Sequence, residues 1–139
     1  MNRRLIFTGL FISFLTLSDS TSGMISENDL KKKLIGIWLW QTVFDSETGE
    51  DMGIQEVTMG MATEVKTEFR MDHIYVESKL RKGSSEYSTT EGEWRLENNK
   101  VLAMKSKEKW SSVNILKLSE DSLLLEINPK MNLLMIKQP

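Results

Sequence analysis

The 139-residue chain contains no cysteine, two prolines and one histidine. Without thiols there is no disulfide framework, no thiolate catalysis, no zinc–thiolate site and no acylated cysteine to anchor an exported chain. Stability must come from a packed core. Imidazole chemistry rests on His73 alone, which stands beside Asp72 where a hairpin turns, and it reads as a turn residue rather than a general base or haem ligand. No serine sits in a nucleophile motif. The glycines Gly53, Gly60, Gly83 and Gly92 are isolated turn or bulge positions and form no phosphate loop. An excess of either charge is also missing: 18 basic residues against 20 acidic give a net charge of −2. This balance favours solubility and offers no basic footprint for nucleic acid or an anionic membrane. The runs Lys31-Lys32-Lys33 and Lys79-Leu80-Arg81-Lys82 read as the solvated side of a helix and the mouth of a turn. The acidic stretch Asp45, Glu47, Glu50, Asp51 lacks the alternating oxygen ligands of a calcium loop and reads as a solvated hairpin loop.

One apolar run is present, and it is too short to span a bilayer. Arg3 and Arg4 precede "LIFTGLFISFLTL", Leu5 to Leu17, and the small polar residues that follow fit a signal peptide cleaved near Ser22 or Gly23. The expected organisation is therefore a leader over 1–23 and one domain over 24–139. With a leader and no stable membrane anchor, the chain is expected to be exported, periplasmic or secreted, and not a lipoprotein.

Hydrophobic period divides the domain. "SENDLKKKL" reads as a short helix capped by Ser26, with Leu30 and Leu34 on one face. From Gly36 the period becomes two: Trp38, Trp40, Thr42 and Phe44 share one strand face. "IQEVTMG" reads as a weaker second strand. In the next hairpin Val65, Thr67, Phe69 and Met71 share a face. After a corner at Asp72-His73, Ile74, Val76 and Leu80 form the apolar set, alternating with Tyr75, Glu77 and Lys79. Gly92, Trp94 and Leu96 then share a face, "NN" and "EDS" mark tight turns, and Pro129 breaks the penultimate strand. Eight or nine short strands result. No connection after Gly36 is long enough for a crossover helix, so an all-β antiparallel up-and-down meander with a short N-terminal helix follows; it must stack into a sandwich or close into a barrel to remove its edges, and the run of adjacent hairpins favours the barrel.

The order "LIGIW", "FRMDHIYV", "GEWRLENNKVLAM", "ILKLSEDSLLLEI" resembles the small lipocalin-like domains of exported Bacteroidetes-type proteins. The resemblance spans roughly Leu30 to Lys137 and implies a calycin-type barrel, in which Gly36-Ile37-Trp38 matches the Gly-x-Trp opening of lipocalins. It further implies that Gly36 and Trp38 close the base, where the wider family places an arginine from a late strand. No arginine follows Arg95, which leaves Lys137 as the candidate substitute. The second lipocalin signature and the long C-terminal helix are absent, so the chain looks like a calycin relative.

Two functional readings follow. In the first, an open barrel binds a small apolar or amphipathic molecule, with Trp40, Phe69, Ile74, Val76, Trp94 and Met104 as candidate lining residues. Val65 and Leu125 join them as inward positions, and several of the nine methionines could adapt the lining to an irregular shape. In the second, side chains fill the barrel and the protein is a structural or protein-interaction module whose partner is unspecified. No catalytic residues, metal or cofactor are expected.

Overall fold

The computed structural model describes residues 27–139; the expected leader, 1–23, and the expected cap Ser26 lie outside the described residues. Helix α1, Glu27–Leu34, presents Leu30 and Leu34 to the core, and both are buried. The chain then enters β1, Gly36–Asp45, followed by the single helical turn α2, Gln55–Thr58. Seven more strands follow: β2 Ala62–Phe69, β3 Ile74–Arg81, β4 Tyr87–Glu97, β5 Val101–Ser106, β6 Lys109–Leu118, β7 Ser122–Asn128 and β8 Met131–Lys137. Each pairs antiparallel with the next and β8 returns to β1, so the sheet closes on itself as an eight-stranded barrel. Closure leaves none of the described strands as an edge that could recruit another chain.

Tight turns make this meander possible. Asn98 and Asn99 both adopt left-handed backbone conformations, with φ of 56° and 59°, as does the Lys107-Glu108 pair, with φ of 52° and 68°. Two successive left-handed residues match the twist of the strands they join. Register shifts in the pairing of β1 with β8, β2 with β3, β6 with β7 and β7 with β8 add the local bends that curl a sheet into a barrel.

Three expectations from the sequence change. "IQEVTMG" is no strand: Ile54 and Val57 fall three residues apart around one helical turn, which Met59 ends in a left-handed conformation before Gly60. In β1 the pairing shifts between Trp40 and Thr42. The extra residue reverses the alternation, so fully buried Val43 joins the core, and Thr42 instead lies under the loop through Asp51 and Gly53. In β3 the apolar alternation points the other way from the expected one. Arg70 N–H donates to Ile74 O and Phe69 pairs with Tyr75, so the loop is Met71-Asp72-His73, one residue longer than the Asp72-His73 corner. One residue of difference flips every side chain that follows.

Candidate ligand-binding site

The base of the barrel is packed solid. Trp38, Phe69, Trp94, Leu102 and Leu123 are essentially inaccessible there, and Leu34 of α1 packs against them from below. Phe69 and Trp94 meet edge to face, with ring centroids 5.5 Å apart. Each buried indole N–H has a backbone acceptor: Trp38 Nε1 donates to Leu34 O at 2.8 Å and Trp94 Nε1 to Arg70 O at 3.0 Å. Lys137 reaches across this end. Its Nζ lies 5.3 Å from the centre of the Trp38 ring and donates to Lys33 O at 2.9 Å, capping the C-terminal turn of α1. Gly36 makes room for that stem, since a Cβ at this position would lie 2.6 Å from Lys137 Cε, and its φ of +141° is one that L side chains rarely adopt.

Above the packed base is a chamber of about 110 Å³. Trp40, Phe69, Met104, Val113 and Leu125 give it an apolar wall, with Thr67 and Glu77 as its polar members. Thr67 is buried, and its hydroxyl accepts a hydrogen bond from Trp40 Nε1 at 2.9 Å, which holds the indole across the chamber. Higher still, the barrel mouth holds a cavity of about 380 Å³. Its composition is two-sided: Val57, Met59 and Met61 from α2 and its exit form one side, and Glu77, Lys79 and Arg81 with Ser88 and Thr90 form the other. Glu77 borders both spaces, and its carboxylate lies 3.4 Å from Lys79 Nζ.

Of the candidate lining residues, the structure brings Trp40, Phe69 and Met104 together around the chamber. Trp94 belongs to the packed base, where it pairs across the strands with Met104. Ile74 and Val76 do not face the interior. Ile74 pairs with Glu93, and Val76 with Glu68 and Glu91, which puts both on the outer surface of the sheet, while Tyr75, Glu77 and Lys79 take the inward positions. The longer loop before β3 is the cause. Glu77 went unnoticed because a polar residue in a barrel sequence defaults to the solvent side, and Thr67, on the expected inward face with Val65 and Phe69, was not named as a lining residue. Gly92 leaves space for a ring from the neighbouring strand: a Cβ there would meet Tyr75 ring carbons at 2.6 and 2.7 Å, and the Lys105 carbonyl closer still.

His73 sits at the base, remote from the chamber. It is exposed, with a left-handed φ of 67°, its Nδ1 donates to Trp94 O at 3.1 Å, and its ring lies against the Trp94 ring at 5.1 Å. Two carboxylates of the acidic stretch, those of Asp45 and Asp51, are held by nearby donors. Asp45 accepts from the backbone N–H of Thr48 and of Glu47, bonds that hold its pKa below the ordinary aspartate value. Asp51 accepts from the Thr42 hydroxyl and from Gly53 N–H, with the same effect. Among the described residues, no group of three or more histidine or acidic side chains is arranged to hold a metal ion.

Compared with solved structures, the chain aligns with a lipocalin-like protein from Bacteroides uniformis over 76% of its own length and 99% of that chain, at 17% identity and a TM-score of 0.57. An uncharacterized protein from Bacteroides eggerthii aligns over the same shares of both chains, at 9% identity and a TM-score of 0.54. The fold is lipocalin-like. No protein-family model and no curated protein matches the chain by sequence.

Within this lipocalin-like barrel the base of β1 takes on a clear physical role. Among the described residues no guanidinium lies over Trp38, and the Lys137 ammonium occupies that end, as the candidate substitute. An ammonium is a compact charge without a planar face, so the lysine adds a bond to the end of α1 where an arginine would add stacking. Among the described residues, no helix is long and apolar enough to cross a membrane.

Proposed function

We propose that the protein is an exported carrier of a small amphipathic molecule, directed out of the cytoplasm by residues 1–23 and cleaved near Ser22 or Gly23. The observation that carries this reading is the order of surfaces inside the barrel: packed aromatics at the base, an apolar chamber of about 110 Å³, then a two-sided mouth of about 380 Å³ where charged and hydroxyl groups first appear in number. A molecule with an apolar end and a polar end matches that order. The volume of the mouth lies within the range of small-molecule sites, and burial in the chamber supplies roughly 25 cal/mol for each Å² of apolar surface removed from water.

The narrow chamber is also the observation that favours the second reading, a structural or interaction module. At about 110 Å³ it is well below the roughly 300–1,000 Å³ of small-molecule sites. A plugging variant separates the two readings. Val113 is half-buried on the chamber wall, and Val113→Phe fills the space while leaving the base intact. The carrier reading expects the wild-type protein to enhance the fluorescence of an apolar dye such as N-phenyl-1-naphthylamine, and the variant to lose that enhancement at unchanged far-ultraviolet circular dichroism. A wild-type protein with no enhancement favours the filled module.

A further inference from the structure

Resting on the carrier reading, we infer that the ligand carries an acidic head group, bound at the mouth by Arg81 with support from Lys79. The run Lys79-Leu80-Arg81-Lys82, which reads in sequence as a solvated turn, is divided by the strand alternation: Lys79 and Arg81 border the mouth cavity, and Leu80 pairs with Glu64 and Tyr87 on the outer face. From the chamber to the rim the inward positions of β3 are therefore Glu77, Lys79, Arg81. Among the described residues that border this cavity Glu77 is the single acid, and Lys79 lies beside it at 3.4 Å. Its charge is thereby offset. Among the described residues, no carboxylate lies within ion-pair distance of Arg81.

The remaining polar groups are hydroxyls. Ser88 pairs with Lys79 and Thr90 with Glu77, which puts both on the same face as the charges, and each can donate to an anion. Thr58 contributes a buried Oγ1 with no hydrogen-bond partner, at the edge of the same cavity. Among the described residues, a guanidinium without a partner, a lysine and the two exposed hydroxyls of Ser88 and Thr90 form a donor-rich rim suited to a carboxylate or phosphate head, and the guanidinium fork can meet either with two parallel bonds. Opposite them, Val57, Met59 and Met61 offer an apolar wall for the start of the chain, with Met59 84% and Met61 57% exposed. The short chamber below favours a medium-length tail.

The test titrates the full exported protein with decanoate, decyl phosphate, decanol and decyltrimethylammonium, following tryptophan fluorescence and heat. The inference expects one of the two acids to bind about tenfold or more tighter than decanol, and the tighter of the two identifies the head group. Arg81→Met and Arg81→Gln should each weaken that acid roughly 10- to 100-fold and leave decanol unchanged, the loss expected when a charged hydrogen-bond partner is removed. Equal affinity for acid and alcohol, preference for the ammonium, or an acid that binds both variants as well as wild type overturns the acidic head and leaves the carrier reading standing. Failure of all four amphiphiles to bind overturns both.

Discussion

Trp38 shows how one residue can be costly to remove without any part in binding. Its ring is fully buried between α1 and the barrel base, its N–H is bonded to Leu34 O, and the Lys137 ammonium lies near its face. Trp38→Ala therefore deletes a large buried side chain and its bond to the helix end at once, and should destabilise by about 3–5 kcal/mol in chemical denaturation. A loss below about 1 kcal/mol would place the ring outside the core. Such a residue is legible in sequence because an indole just after a helix, opening a strand, has few places to go but the end of a barrel. Glu77 is the opposite case. Thr67 shares the expected inward face of Val65 and Phe69, whereas the carboxylate of Glu77 gave no reason to place it inside, and only its cross-strand pairing with Thr67 puts the two side by side on the interior wall.

Elements were legible where their period was uninterrupted and illegible where one extra residue intervened. The helix ending at Leu34, the paired asparagine turn and the Gly92, Trp94, Leu96 face all follow from local pattern. The added residue near Gln41 and the three-residue loop before Ile74 do not, because each reverses an alternation without changing composition. That is how Ile74 and Val76 came to be expected inside. The loop between β1 and α2 carries its own prediction. Bonds accepted by Asp45 and Asp51 stabilise their charged forms, so their pKa values are lowered on folding. The sign follows from linkage: this contribution is complete above the ordinary aspartate value and disappears as pH falls through the lower values of the folded state. Followed by nuclear magnetic resonance, the Asp51 carboxylate should titrate below the ordinary aspartate range, and Thr42→Val should move it back up. An unchanged titration in the variant would show that the hydroxyl does not hold that carboxylate.

At the scale of the whole molecule, the lack of crossover connections points to an antiparallel meander and the run of adjacent hairpins favours its closing into a barrel, and the structure has one. What the sequence could not show was the division of its interior, because a packed base and an open mouth use the same alternating residues. That division depends on which rings meet: Phe69 against Trp94 at the base, Trp40 tethered to Thr67 above it. The carrier reading rests on the space left between that tether and the charged rim. Its most direct test is native mass spectrometry of the protein purified gently from its own host, followed by solvent extraction. The account predicts a chain that begins near Gly23 or Met24, carrying one small molecule that is released as an amphiphile on extraction. A processed chain at its bare mass, which also takes up no amphiphile when one is supplied, would contradict it.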